Sequence, residues 1–338
     1  MYFWYVLKKY LRSFLLILFS LSFFFVVIDL VANHTRLPDS SNLQVLYIYY
    51  ITLYSMDLFY PLALVFGFLL AIYYMIKFNE LVSFYSTGFT VKKLLKPFMF
   101  LAFFVYFLFL GFESGKFAYF REYANSILNK NRITGSNLFL KYENKIIYIS
   151  KIKPLRKTAV DLKVFFIKNY KVYKIISAKK AVFKNDRWYV NDALITHIYD
   201  DRIEKEHKSL QMLEGFKPKI ISNLKKLTSI SLYDAFLAIR LFKDVSVNTI
   251  LSMIFYKVFT PLSLIGIIII LMFKSPIHQR VSNVSLFLVK SVFLTIVIWG
   301  VELMIYKFAK QGVVSAYALT VPFFAIFGYG LYILIKEK

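Results

Sequence analysis

The chain reads as an α-helical integral membrane protein with six transmembrane helices and an all-β domain inserted after the third. Three observations carry that reading. Of its 338 residues 59% are hydrophobic and 20% aromatic, with a mean hydropathy of +0.58, more apolar surface than a soluble domain of this length can bury. Long apolar runs occupy both ends of the chain. Between them, from about Lys116 to Leu232, charge becomes dense and the hydrophobic pattern shortens to the alternation of strands.

The N-terminal MYFWYVLKKYLR leads into an apolar run from Ser13 to Ile28 that stops at Asp29. That core is longer than a secretory signal's and no small-residue cleavage site is clear, so it is read as a retained first span. Asn33, His34, Thr35, Arg36 and Pro38 form a polar break. From Leu43 to Ile76 the chain is apolar or aromatic almost throughout; as one straight helix it would extend about 51 Å, well beyond a hydrocarbon core of about 30 Å. Asp57 and Pro61 mark the expected division, with Leu43 to Met56 as an interfacial lead-in and Leu58 to Ile76 as the second span. The third span runs from Phe98 to about Gly111 and ends near Glu113 and Lys116.

The central segment carries short alternations, KIIYISKIK (145–153), VFFIKNYKVYKII (164–176) and RWYVNDALITHIY (187–199). Turn signals fall at Glu143-Asn144, Asn169, Asn185-Asp186 and Asp200-Asp201, the pattern of an antiparallel β-domain, a sandwich or an open roll. Helical patterning returns at Ser231, with a linking helix from Leu232 to Lys243. Three more spans follow, Ile250 to Phe273, Leu286 to Tyr306 and Ala316 to Ile335. The expected domains are therefore residues 1–116, 117–231 and 232–338.

Orientation follows from the short loops. With the N-terminus inside, the inner side holds Lys8, Lys9, Arg12, Lys77, Lys92, Lys93, Lys96, Lys274, Arg280, Lys290, Lys336 and Lys338, against Arg36, Lys307 and Lys310 outside. Both termini are then expected in the cytoplasm and the β-domain outside.

Between the second and third spans lies a moderately polar island, Lys77 to Pro97, KFNELVSFYSTGFTVKKLLKP. Glu80, Ser83, Thr87 and Thr90 share one helical face, while Leu81, Phe84, Tyr85 and Gly88 gather on the other. A short helix lying against something is expected. It is either a hairpin packed on its own membrane domain or a docking helix for a cytoplasmic partner. Gly88 lets a backbone approach or lets the helix stop, and Thr90 can cap the helix that follows.

Several chemistries find no support. The chain has no Cys, which removes disulfides, thiol nucleophiles and Cys-based metal sites. Its formal charge of +24 is spread over membrane-flanking loops and the central block without a nucleic-acid motif. GFESGKF (111–117) has the wrong glycine spacing for a phosphate loop, and Phe117 stands where a Ser or Thr is needed; Gly111 and Gly115 read instead as a small-residue helix-packing site. His34, His197, His207 and His278 lie in separate segments and make no metal-spaced set. Asp200 and Asp201 sit in a turn, where Asp is common, so no cofactor, metal or catalytic set is expected. Charge in or beside a span is more informative: Glu302 lies inside the fifth span, and Asp29 and Arg36 at the outer end of the first. Each is a structural ion pair, a snorkelling side chain or part of a substrate path.

The order of segments and three local sequences resemble the LptF/LptG family, the permease subunits of the lipopolysaccharide-transport exporter. NELVSFYSTGFT (79–90) is similar to the family's coupling-helix pattern, NLFLKYENKIIYISKIK (137–153) to the start of its periplasmic domain, and FYKVFTPLSLIGIIIILMFKSP (255–276) to its fourth span and the following loop. The Gly88-Phe89-Thr90 form and the C-terminal half look closer to the LptG branch. The resemblance implies an ABC exporter permease in the bacterial inner membrane, paired with an LptF-like paralogue on a dimeric LptB-like ATPase. It implies a periplasmic β-jellyroll-like domain passing lipopolysaccharide to an LptC/LptA-like bridge. Asn79, Glu80, Leu81, Phe84, Tyr85, Gly88 and Phe89, within a coupling segment of about 79–93, would engage the ATPase. The first and fifth spans would line the lipid entrance, with Phe24, Val27, Asp29, Arg36 and Glu302 along the path. Where LptG relatives can carry a lysine cluster, this chain has DLVANHTR (29–36), with Arg36 the only fixed cation. The readings that stay beside this one are a membrane sensor or scaffold with an external ligand-binding domain, and a lipid-modifying membrane enzyme.

Overall fold

The computed structural model describes residues 2–128, 135–142, 145–153, 157–168, 171–185, 187–199, 202–214, 230–241, 247–278, 280 and 283–336. The expected turn residues Glu143, Asn144, Asn169, Asp186, Asp200 and Asp201, the linking helix's end at Lys243, and the terminal Lys338 lie outside the described residues. Two compact units form, Met1–Arg121 with Leu251–Lys338, and Glu122–Ile250.

The helices are α1 (Tyr2–Ala32), α2 (Ser41–Lys77), α3 (Glu80–Ser86), α4 (Val91–Glu113) and α5 (Phe120–Leu128), then, after the sheet, α6 (Leu232–Leu241), α7 (Val247–Lys274), α8 (Val284–Lys310) and α9 (Thr320–Lys336). Among the described residues six helical segments are long and apolar enough to cross a membrane: α1, α2, α4, α7, α8 and Ala316–Lys336. The expected division of the second span does not occur. Instead α2 runs unbroken for 37 residues with Pro61 inside it. In hydrocarbon, ending a helix strands several backbone groups with no water to satisfy them, whereas passing through a proline forfeits about one hydrogen bond. At about 56 Å the helix must project beyond the bilayer core. Similarly α1 begins well before Ser13, so Lys8, Lys9 and Arg12 ride on the helix itself.

Two glycines set the closest helix approaches. A Cβ on Gly67 of α2 would lie 2.7 Å from the Cα of Phe14 on α1, and one on Gly266 of α7 would lie 3.0 Å from the Cα of Phe327 on α9. Gly111 and Gly115, expected to form a packing site, meet no other helix among the described residues: a Cβ at Gly111 has nothing within 4 Å, and at Gly115 only the nearby Phe112 carbonyl. Around the Gly67 crossing, the buried Tyr10 donates its hydroxyl to the Leu64 carbonyl at 2.9 Å. Its ring packs on Phe98 of α4 with centroids 5.1 Å apart, and Phe98 packs on Phe68 of α2 at 5.0 Å. A polar tip satisfied by backbone and an apolar body in an aromatic cluster tie three spans into one core.

In the second unit, β1 (Gly135–Tyr142), β2 (Lys145–Lys153), β3 (Thr158–Lys168), β4 (Lys171–Lys184), β5 (Arg187–Ile198) and β6 (Ile203–Met212) form one sheet, each strand antiparallel to the next. The 164–176 alternation thus belongs to two strands, β3 and β4, that pair antiparallel. Register aligns one buried face: Ile147, Val164, Ile176 and Ile195 make one row across four strands, and Ile149, Leu162, Ala178 and Ala193 another. Phe183 and the fully buried Trp188 close the β4–β5 end, centroids 5.4 Å apart. Along edge strand β6, Glu204, Lys205, Glu206, His207 and Lys208 are all exposed, a charged edge that discourages indiscriminate strand addition.

Candidate functional site

The island folds as α3 followed directly by α4. Asn79 enters the helix in the left-handed region at φ 57°, a conformation that Asn tolerates better than most residues. At the other end the Phe89 N–H bonds the Phe84 carbonyl at 3.0 Å and the Gly88 N–H bonds the Tyr85 carbonyl at 3.1 Å. That is a Schellman cap with Gly88 at φ 81°, and the accompanying contact is present between the rings of Phe84 and Phe89, 5.5 Å apart. Of the two roles open to Gly88, stopping the helix is the one seen; a Cβ there would meet nothing within 4 Å. Thr90 then caps α4, its hydroxyl accepting from the Lys93 N–H at 3.3 Å.

The residues expected to act here divide into an anchor and an open face. Leu81 is fully buried, and Phe84, Tyr85 and Phe89 pack against the membrane core; burial raises the Tyr85 phenol above its ordinary value. The start of α1 supplies much of that packing, with Tyr2 against Phe89 at 4.6 Å and Tyr5 against Phe84 at 6.4 Å. Glu80 forms an ion pair with Lys9 of α1 through Oε1, while its Oε2 is buried and accepts no hydrogen bond. Phe78, Asn79, Val82, Ser83 and Ser86 remain exposed. Sequence spacing identified the anchoring face, but not Lys9 as the counter-charge, because nothing local links residues so far apart in the chain.

At the other end of α1, Asp29 is buried and central to a network. Its carboxylate accepts from the Tyr47 hydroxyl of α2, from Arg121 Nη1 at 3.1 Å and from Asn33 Nδ2 at 3.3 Å. Arg121 also lies over the Tyr54 ring, 5.0 Å from its centroid. Arg36, on a single 3₁₀ turn (His34–Arg36), is exposed and makes no ion pair among the described residues. Phe24 and Val27 are exposed on α1. Glu302 is 1% exposed, and both its carboxylate oxygens lack a hydrogen-bond partner. Hydroxyls of Thr260 and Ser263 on α7 lie beside it without making hydrogen bonds of ordinary geometry. The structure does not bring Glu302 and Arg36 together as an ion pair.

A second charged cluster escaped the sequence reading. Lys257 of α7 pairs with Glu113 at the end of α4, and Asp57 of α2 lies within electrostatic reach of both. The Lys257–Glu113 pair joins α7 to α4 beside Asp57 of α2, at a cost in desolvation. Lys257 was the available signal, a lone cation inside an apolar run. No group of three or more His, Asp or Glu suited to a metal ion occurs among the described residues.

Comparison with curated proteins gives no match. A family model described as the lipopolysaccharide export system permease LptF/LptG matches residues 4–336, from the first turn of α1 to the last residue of α9, and the chain belongs to that family.

Proposed function

We propose that this protein is one permease subunit of an ABC exporter that takes lipopolysaccharide from the outer leaflet of the inner membrane and hands it to a periplasmic bridge. The observation that carries the reading is a family match spanning both units, on a chain with six apolar helical segments and a separate β-sheet unit. In this reading both termini are cytoplasmic, the sheet is periplasmic, and a dimeric ATPase and a paralogous permease complete the machine. The Gly88-Phe89-Thr90 sequence supports the LptG branch.

The ATPase would meet the exposed face of α3, Asn79, Val82 and Ser83, while Leu81, Phe84 and Tyr85 anchor that helix and relay its movement to α1. Glu80 ties that anchor to α1 through its ion pair with Lys9. A charge-assisted contact of that kind is worth about 1.5–3 kcal/mol. The lipid would enter beside the exposed apolar face of α1, at Phe24 and Val27, pass Arg36 at phosphate height, and rise into the β-domain. A multi-chain amphiphile needs a continuous apolar path, since each CH₂ taken from it into water costs about 0.8 kcal/mol. Because Glu302 points into its own bundle, the neighbouring exposed Val301 marks the α8 side of the entrance.

Purification in mild detergent tests the assembly: a stoichiometric ATPase and a second six-span subunit are expected, and Glu80→Gln should weaken ATPase retention without unfolding the chain. A lone chain with activity of its own would overturn the reading. Photo-crosslinkers at Phe24, Val27, Arg36 and Val301 should capture lipopolysaccharide. Capture from α2 or α9 alone would move the entrance elsewhere.

A further inference from the structure

At its N-terminal end α1 carries a feature that neither docking nor cargo passage uses. A cavity of about 420 Å³ opens between α1 and α2, lined by Tyr5, Lys8, Lys9 and Arg12 from one and Leu70 and Tyr74 from the other. Its size falls within the range of about 300–1,000 Å³ usual for small-ligand sites. The α1 residues share one helical face, at spacings of three and four. Lys9 is engaged by Glu80, but Lys8 and Arg12 form no ion pair or hydrogen bond among the described residues. Ser13 and Leu16 continue the lining toward the apolar run, so the lining passes from cationic residues to Leu16 and Leu70.

We propose that this cavity binds the phosphate headgroup of an anionic glycerophospholipid from the leaflet on that side of the membrane. Height argues for it: Lys8 and Arg12 immediately precede the apolar run of α1, and Tyr74 stands just before Lys77 at the close of α2, the level of headgroups. Shape argues for it as well. Arg12 offers a planar fork and Lys8 a point charge to phosphate oxygens, Tyr5 and Tyr74 wall the site, and Leu16 and Leu70 receive the first methylenes of an acyl chain. Basic pockets between helices at this level suit phospholipid heads. The inference rests on the membrane reading of the helices and not on the cargo. A lipid held here would brace α1 beside the Lys9–Glu80 pair, and so bias the position of α3.

The test uses the full chain in nanodiscs of phosphatidylcholine containing a phosphatidylglycerol probe with a headgroup-proximal diazirine. Labelling should concentrate in residues 5–16 and 70–74 and be displaced by unlabelled phosphatidylglycerol, but not by phosphatidylcholine or inorganic phosphate. Lys8→Gln with Arg12→Gln should weaken capture by about thirtyfold, each surface cation lost leaving roughly a fifth of the affinity. Lys96→Gln with Lys290→Gln, an equal charge loss on α4 and α8, should leave it unchanged, and Lys8→Arg should preserve it. An unaltered thermal transition separates lost binding from lost folding. Equal labelling by a phosphatidylcholine probe, or equal loss in both double variants, would overturn the site. Displacement by inorganic phosphate would assign it to a soluble anion, and displacement by lipopolysaccharide alone would return it to the cargo path; either result defeats the proposal.

Discussion

Single residues in this protein are most telling where they violate the ordinary rules of burial. Asp29 obeys them: it is buried, and Tyr47, Asn33 and Arg121 satisfy its carboxylate. Glu302 does not, since it is enclosed with neither oxygen paired. A buried polar group left unsatisfied costs about 1–3 kcal/mol, more when charged. Replacing Glu302 by Leu should therefore raise the thermal transition of the purified chain, and export in a complementation assay should fall if the carboxylate is retained for function rather than stability. A lowered transition would mark Glu302 as a structural rather than a functional residue. The sequence exposed both residues as charges at membrane depth, yet could not distinguish them. Partnership is decided by Tyr47 and Arg121, which reach Asp29 only once the helices have packed.

The elements show where local signals suffice and where packing overrules them. Thr90 capping α4 and the helix stop at Gly88 follow from adjacent residues, so the short α3 was legible in spacing and composition. The buried rows of the sheet were legible in alternation, because a strand's period of two leaves little choice of face. The uninterrupted α2 was not, since Pro61 is a local stop signal that the demand for internal hydrogen bonding in a membrane overrides. Nor was the crossing of α1 and α2 legible. It depends on Gly67 lying opposite Phe14, while the more conspicuous Gly111 and Gly115 meet no neighbouring helix. Gly67→Leu must push the two backbones apart and disturb the Tyr10 hydrogen bond to Leu64. Overpacking of this kind costs about 1–3 kcal/mol or more. A marked fall in thermal stability is expected from Gly67→Leu and little change from Gly111→Leu; similar behaviour of the two would show that the α1–α2 contact contributes little.

At the scale of the whole molecule, the two units answer to different solvents, and the charge distribution predicts a side for each. The apolar helices require hydrocarbon, whereas the sheet carries lysines along its exposed surfaces and a charged edge strand in β6, and requires water. In the proposed topology three spans precede the sheet and three follow it, which predicts that the sheet and the island carrying α3 face opposite sides of the membrane. By the lysine and arginine bias the island, with Lys77, Lys92, Lys93 and Lys96, is expected in the cytoplasm. Because the chain has no native cysteine, single cysteines report without background. One at Ser86, exposed at the end of α3, should be shielded from a membrane-impermeant thiol reagent in intact cells and react after lysis. One at Asn185, exposed in the β4–β5 turn, should react as soon as the outer membrane is permeabilised. The reverse pattern would invert the protein and put the α3 face out of reach of a cytoplasmic ATPase. Labelling of both positions from one side would mean that one of the six apolar segments does not cross, and the connection between nucleotide hydrolysis and lipid movement would then have to run through another part of the chain.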